Sequence, residues 1–196
     1  LVAVSKTKPI EVLQEAYALG IRDFGENRVA ELAEKAKALP EDIRWHAIGH
    51  LQRNKAAIVA PITTLIHAVD SIRLYDALSK HSGEKLDVLI QIHIADETNK
   101  YGLTSDDFKK ILDTGEAFNH PNMNIRGLMG MATFTENHSQ IAHEFKGLRT
   151  LFDEIQPLVG MDFDTLSMGM SGDWKIAVDE GSTMIRVGSA IFGARN

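Results

Sequence analysis

The sequence predicts an α/β protein, a single-domain (β/α)8 barrel of the TIM type. Short β-rich runs alternate with helical patterns from end to end, which is typical of repeated βα units around a parallel sheet. The strand-like runs are almost continuously apolar, as expected for strands buried on both faces of a closed barrel. With 196 residues, 44% of them hydrophobic, the chain has enough apolar surface for one substantial core, and residues 1–196 are predicted as one domain.

Eight runs have the length and composition of buried strands. They are residues 1–5, 21–25, 44–48, 65–69, 86–94, 125–131, 165–170 and 184–192. The last run ends close to the C-terminus and leaves no segment for a final outer helix. Because Leu1 begins inside a strand without an initiator Met, we expect an N-terminal segment, including a helix, to precede it.

Start and stop residues delimit the helices between these runs. The first helix follows Pro9 and ends at Gly20, and the second has Asn27 as its predicted N-cap and ends before Pro40. The third spans residues 53–60 and is stopped by a proline. The fourth helix is predicted to be capped by Asp70 or Ser71, and the fifth to be capped near Thr104. The sixth and seventh helices are predicted to span residues 139–155 and 172–180.

Composition excludes several classes of function. Lys and Arg total 21 against 27 for Asp and Glu, and no basic run offers a track for nucleic acid. There is no cysteine, so disulfides and thiolate metal sites are excluded, and the eight histidines form no recognisable metal motif. No apolar stretch is long enough to span a membrane, and no signal peptide is apparent. We expect a soluble cytoplasmic protein that binds no metal.

A lysine at the end of the first strand is the first candidate site residue. Lys6 alternates with Val2 and Val4, so it points to the same side as they do and can project into the barrel mouth, where such enzymes place their sites. Partial burial would lower its pKa and leave an amine able to form a Schiff base with an aldehyde. The alternative is a strand-end lysine that extends into solvent.

Small polar residues follow the seventh and eighth strands, where barrels often bind phosphate. In residues 167–173, Ser167 and neighbouring glycines precede a helix N-terminus, and Ser171 fits the N-cap of that helix equally well. In the eighth strand Arg186 interrupts an apolar run beside Gly188 and Ser189. A charged residue there needs a partner, which is either a ligand or a structural ion pair. Together with Lys6, these features describe a site for pyridoxal 5′-phosphate.

The chain resembles the pyridoxal phosphate homeostasis protein family, which is related to the N-terminal barrel domain of alanine racemases. Six ordered segments carry the resemblance: residues 1–9 (LVAVSKTKP), 24–27 (FGEN), 45–55 (WHAIGHLQRNK), 125–131 (IRGLMGM), 166–171 (LSMGMS) and 181–194 (GSTMIRVGSAIFGA).

The resemblance implies a role for each candidate residue. Lys6 forms the internal aldimine with pyridoxal phosphate, Ser167, Gly188 and Ser189 bind its phosphate, and Arg186 meets its pyridine nitrogen. The sequence departs from the family at His93, where an asparagine is expected. The resemblance assigns no role to four residues within or near the similar segments: Lys8, Asn27, His46 and Lys100.

Three functions are compatible with such a site. The favoured one is a non-catalytic carrier that holds the cofactor and buffers or delivers it to pyridoxal-phosphate-dependent apoenzymes, as a monomer, with Lys8 as a second amine during release. A racemase requires a tyrosine base, for which only Tyr101 is in a suitable loop. A lysine-dependent aldolase requires a lysine on a later strand, and residues 125–131 contain none.

Overall fold

A computed structural model describes residues 1–97, 101–115 and 118–193. In these ranges the strands are β1 Val2–Val4, β2 Asp23–Glu26, β3 Arg44–Ala47, β4 Leu65–Val69, β5 Leu86–Gln91, β6 Met123–Met129, β7 Thr165–Ser167 and β8 Arg186–Val187. The helices are α1 Ile10–Ala18, α2 Val29–Ala38, α3 Ala56–Val59 after a 3-10 turn Arg53–Lys55, α4 Ile72–Ser79, α5 Ser105–Thr114, α6 His138–Val159, α7 Trp174–Asp179 and α8 Ser189–Phe192.

The strands form one parallel sheet that is nearly closed into a barrel. Their order is β7-β6-β5-β4-β3-β2-β1-β8, so each strand pairs with its neighbour in sequence and β8 returns to β1. An isolated bridge between Ser167 and Met184 connects β7 to the segment that enters β8. The predicted (β/α)8 barrel is confirmed, and all strands end at the same mouth.

Apolar side chains pack on both faces of the sheet. On the outer face Phe24 and Trp45 pack against each other, with ring centroids 5.9 Å apart, and belong to the cluster that includes Leu13 of α1. A smaller cluster, which contains Leu65, Leu89 and further strand residues, has no helix member and fills part of the barrel interior. Burial on both faces explains the continuous apolar runs in the sequence.

The eighth strand is much shorter than predicted. Only Arg186–Val187 is a strand, and the chain turns into α8 at Ser189, with the amides of Ile191 and Phe192 donating to the carbonyl of Gly188. The prediction that the strand continues to residue 192 was therefore wrong. A short apolar run fits a strand or a buried helix equally well, and periodicity could not separate the two.

Other boundaries differ where the chain leaves the sheet to build the mouth. Strand β5 ends at Gln91 and β7 at Ser167, each three residues before the predicted end, while β6 begins two residues early, at Met123. Ser71 and Thr104 cap their helices as predicted. Asn27 does not cap α2, because Arg28 takes the N-cap position and makes no side-chain capping bond.

Within the described ranges, no helix is long and apolar enough to cross a lipid bilayer. The same residues contain no group of His, Asp and Glu side chains arranged to hold a metal ion.

Candidate functional site

A cavity of about 410 Å³ opens at the carboxyl ends of the strands. Its wall combines residues that follow β1, β2, β3, β6 and β7 with residues around β8: Val4, Lys6, Lys8, Asn27, Ile48, Met131, Phe134, Met170, Ser171, Gly172, Asp173, Arg186, Gly188, Ser189 and Gly193. Two further cavities, near His120 and near His50, contain none of the predicted site residues. The mouth cavity brings together Lys6, Arg186, Gly188 and Ser189.

Lys6 lies in a tight turn directly after β1. The amide of Lys8 donates to the carbonyl of Ser5 at 3.0 Å, which closes the turn around Lys6. Thr7 has a φ of 64°, in the left-handed region, which a β-branched residue rarely adopts. Lys6 is half-buried and lines the cavity, so the prediction of its direction is confirmed. Backbone strain beside it implies that surrounding contacts hold the turn in place.

A buried network behind the sheet supplies those contacts. The Lys35 ammonium of α2 donates to the carbonyl of Ser5 at 2.8 Å, to Glu26 at 2.7 Å and to Glu31 at 2.6 Å. Glu31 also accepts the amide proton of Thr7 at 2.6 Å. The turn that carries Lys6 is thus held on both sides of that residue.

The network contains two carboxylates for one ammonium. Glu26 accepts from Ser5 Oγ at 2.6 Å and from Lys35, but its Oε2 is buried and makes no hydrogen bond within the described residues. Burial raises the pKa of Glu26 above its ordinary value in spite of Lys35. We did not predict this network. The available signal was Lys35 itself, a lysine three residues after Leu32 on the apolar face of α2.

Lys8 has a structural contact of its own. Its ammonium donates to the carbonyl of Phe192 at 2.8 Å, at the end of α8. This bond ties the Lys6 turn to the segment after β8 and closes one side of the cavity.

Arg186 is a buried cation at the base of the cavity. It is 3% exposed, and its guanidinium donates to Ser167 Oγ at 2.6 Å and to the carbonyl of Gly130 at 3.1 Å. Among the described residues no carboxylate lies within ion-pair distance of it, so the alternative of a structural ion pair finds no partner. Burial lowers the pKa of Arg186 to about 10, which leaves it charged at neutral pH. Its position suits a ligand that accepts hydrogen bonds.

The residues predicted to bind phosphate differ in their position relative to the cavity. Gly188 and Ser189 line the cavity, and the amide of Gly188 donates to Ser171 Oγ at 3.1 Å. Ser171 therefore faces the cavity instead of capping α7. Ser167 is fully buried below the cavity, where its hydroxyl contacts Arg186 and lies 3.1 Å from His67 Nδ1. Ser167 therefore does not line the cavity, whereas Ser171 does.

The residues without an assigned role lie in different parts of the molecule. Asn27 lines the cavity, whereas His46 lies inside the barrel between Asp23 and His67. His93 does not line the cavity, and its Nε2 is 2.8 Å from the carbonyl of Ala95. Lys100 lies outside the described residues.

The sequence reading missed the rim of the cavity. Phe134 is 96% exposed at the mouth, and Asp173 lines it while accepting the amide proton of Met170 at 2.6 Å. Both lie in loops at the carboxyl end of a strand, Phe134 after β6 and Asp173 after β7, and such loops build the mouth of a barrel.

Comparison with known proteins identifies the family of this chain. Residues 1–196 match the family described as the alanine racemase N-terminal domain. A protein of Aquifex aeolicus named pyridoxal phosphate homeostasis protein is 37% identical over all of this chain and 86% of its own length. A human protein of the same name is 40% identical over all of this chain and 76% of its own length.

Solved structures give the same grouping. PipY of Synechococcus elongatus, without PLP, superimposes with a TM-score of 0.91 at 37% identity, over 98% of this chain and 91% of that one. PipY with PLP bound superimposes with a TM-score of 0.86 at 36% identity, over 98% of this chain and 91% of that one. Alanine racemase of Corynebacterium glutamicum gives 0.76 at 16% identity, over 99% of this chain and 55% of that one, and so shares the fold. The chain therefore belongs to the alanine racemase N-terminal-domain family and, within it, to the pyridoxal phosphate homeostasis proteins.

Proposed function

We propose that this protein binds pyridoxal 5′-phosphate covalently at Lys6 and takes part in intracellular homeostasis of this cofactor. The observation that carries the proposal is the convergence of Lys6, Arg186 and the small residues around Gly188 on one cavity. The names of the relatives and the PLP-bound form of PipY support the same cofactor.

Each part of the cavity fits one part of the cofactor. The cofactor supplies an aldehyde, with which a lysine amine condenses with loss of one water molecule. Lys6 provides that amine, and Arg186 provides a donor for the pyridine nitrogen. Ser171, Gly188 and Ser189 are small polar or glycine residues beside one another, and they suit a phosphate. Ser167 acts indirectly: its hydroxyl oxygen accepts a hydrogen bond from the Arg186 guanidinium and so positions it.

The choice of arginine at the pyridine end favours carriage over catalysis. A guanidinium can only donate hydrogen bonds, so it pairs with an unprotonated ring nitrogen. An unprotonated ring withdraws electrons weakly and gives little help to carbanion chemistry. Arg186 thus suits a protein that holds the cofactor without using it.

An amino-acid racemase remains the second candidate, since alanine racemases share the fold. A racemase needs a base on each face of the ring, and a tyrosine is the expected second base. All three tyrosines are described, and none lines the cavity. Tyr17 donates to Asp42, Tyr75 is buried, and Tyr101 stacks on His50 at 3.7 Å between ring centroids.

Delivery to pyridoxal-phosphate-dependent enzymes is part of the same proposal. Release requires a second amine or water to reach the bound cofactor, and Lys8 lines the same cavity as Lys6. The cavity opens to solvent beside Phe134, so the cofactor has a route out. The acidic, cysteine-free composition supports action in the cytoplasm, and we expect a monomer.

The test is the visible spectrum of the purified protein after addition of pyridoxal phosphate. Wild type should develop the absorption band of a cofactor–lysine adduct, and borohydride reduction followed by peptide mapping should locate it on Lys6. Lys6→Ala should lose the band, whereas Lys8→Ala, the matched control in the same turn, should retain it. No band in wild type, or an adduct that maps elsewhere, would reject the proposal.

A further inference from the structure

A line of side chains within hydrogen-bonding distance crosses the interior of the barrel. From one end to the other it contains Asp23, His46, His67, Ser167 and Arg186, called here the interior chain. Its contacts are 3.1 Å from Asp23 Oδ1 to His46 Nε2, 3.0 Å from His46 Nδ1 to His67 Nε2, 3.1 Å from His67 Nδ1 to Ser167 Oγ, and 2.6 Å from Ser167 Oγ to Arg186.

The interior chain spans the barrel from its amino to its carboxyl end. Asp23 is the first residue of β2, His46 and His67 lie further along β3 and β4, and Ser167 ends β7. Arg186, at the other end, lines the cofactor cavity. The two histidines and Ser167 are almost fully buried, while the Asp23 side chain is 29% exposed. The chain therefore connects a carboxylate near solvent with the buried guanidinium.

Donors and acceptors can be assigned from either end with the same result. An ionised Asp23 only accepts, so His46 donates through Nε2 and, when neutral, accepts at Nδ1 from His67. A neutral His67 then accepts at Nδ1 from the Ser167 hydroxyl. Starting instead from Arg186, which only donates, Ser167 accepts the guanidinium proton and directs its own proton to His67. His67 is thus neutral with its proton on Nε2, and His46 carries a proton on Nε2 that it donates to Asp23.

The charges at the two ends agree with this direction. Burial, together with the Arg186 charge, holds the pKa of His67 well below its usual range, so it stays neutral. Burial raises the pKa of Asp23, but hydrogen bonds from His46 and Arg44 outweigh it and keep the pKa well below its usual range. Every bond in the chain points its hydrogen toward Asp23 and its lone pair toward Arg186, which stabilises an anion at one end and a cation at the other.

We infer that the interior chain lets Asp23, at the far end of the barrel, position Arg186 for a ligand in the cavity. This inference rests on the proposed function, since it concerns how firmly the cofactor is held. His67 and Ser167 act as positioning residues, because they touch Arg186 or each other and not the cavity. Asp23 supplies the terminal acceptor that selects a single proton arrangement along the chain.

The first test uses the protein without cofactor. Histidine 15N NMR near neutral pH should show His67 protonated on Nε2 alone in wild type, and His46 Nε2 protonated as the donor to Asp23. Asp23→Ala, which removes the terminal acceptor, should produce a mixture of proton positions on both rings. Asp23→Asn keeps an oxygen acceptor and should retain the wild-type pattern. A cationic His67, or one protonated on Nδ1, would overturn the inference.

The second test measures the dissociation constant of pyridoxal phosphate by absorbance titration. Asp23→Ala should weaken binding about tenfold, the factor expected from disturbing one hydrogen bond to a charged group, and Asp23→Asn should weaken it less. Asp42→Ala removes a surface carboxylate that pairs with Arg22 outside the interior chain, and it should change neither the histidine signals nor the affinity. Wild-type affinity in Asp23→Ala would overturn the inference. If wild type binds no cofactor, the proposed function fails, and the histidine spectra still decide whether the interior chain exists.

Discussion

The ammonium of Lys35 lies 2.8 Å from the main-chain carbonyl of Ser5, the residue that precedes Lys6. Because Glu31 accepts both from Lys35 and from the amide of Thr7, one buried lysine governs the turn on both sides of Lys6. A side chain on the outer face of the barrel thus sets the geometry of a residue in its mouth.

Replacement of Lys35 should therefore weaken both the fold and the site. Lys35→Met leaves Glu26 buried without its cation, and we expect a loss of about 3 kcal/mol in unfolding free energy, together with slower attachment of pyridoxal phosphate at Lys6. Denaturant unfolding and the rise of the adduct band measure the two effects. Lys37→Met, at an exposed position of the same helix, is the control and should change neither. Equal stability of the two variants would contradict the role of Lys35.

The raised pKa of Glu26 predicts a particular pH dependence of stability. The folded protein holds the Glu26 proton more tightly than the unfolded chain does, so protonation of this group stabilises the fold below the ordinary glutamate pKa. That stabilisation should be lost as pH rises through the folded-state pKa. Glu26→Gln removes the titration, so the stability of wild type relative to this variant should fall with rising pH. A wild-type advantage that grows with pH would contradict the assignment.

Arg186 should not be replaceable by lysine. A lysine ammonium cannot reproduce the planar guanidinium that contacts Ser167, Gly130 and the cavity together. Arg186→Lys should raise the dissociation constant of pyridoxal phosphate at least about tenfold, as measured by absorbance titration. Arg73→Lys, at an exposed arginine, serves as the control. Unchanged affinity in Arg186→Lys would mean that the cofactor does not contact this residue.

Two serines distinguish direct phosphate binding from indirect support. Ser171→Ala should weaken the binding of pyridoxal phosphate and also the competition by inorganic phosphate, because Ser171 lines the cavity. Ser167→Ala should weaken the binding of pyridoxal phosphate but leave the competition by inorganic phosphate unchanged, since Ser167 contacts Arg186 below the cavity. Titrations of both variants with both ligands are sufficient. The reverse pattern would restore Ser167 as the phosphate ligand.

Two glycines predict opposite changes in stability. A Cβ at Gly188 would lie 3.1 Å from the carbonyl oxygen of Val4. Gly188→Ala should therefore lower the free energy of unfolding by about 1 kcal/mol and weaken cofactor binding. Gly147 lies in α6 with open space around a Cβ, and Gly147→Ala should stabilise by about 0.5–1 kcal/mol without affecting binding. Thermal unfolding of both variants tests the pair. A stabilising Gly188→Ala would contradict the close approach of β8 to β1.

The barrel could be predicted from the sequence because its signals are local. Alternating apolar runs and helical patterns identify each element, and Ser71 and Thr104 cap helices through bonds only three residues long. The end of β8 could not be predicted, since the run after Arg186 is apolar whether it continues as a strand or turns into α8. Asn27 was predicted as a helix cap because an asparagine suits both an N-cap and a loop. In the structure it lies in the loop that lines the cavity.

The direction of Lys6 also followed from strand alternation with Val2 and Val4, and the loops around Gly188 followed from their position after strands. The sequence by itself thus determined the fold class, and four of the five predicted site residues line the cavity. Only the tertiary structure placed Lys35 against the Lys6 turn, exchanged Ser167 for Ser171 at the cavity wall, and joined Asp23 to Arg186 through the barrel. The residues joined in this way lie up to 163 positions apart in the sequence, from Asp23 to Arg186. No pattern along the chain records them, because barrel closure and not sequence spacing brings the side chains within hydrogen-bonding distance.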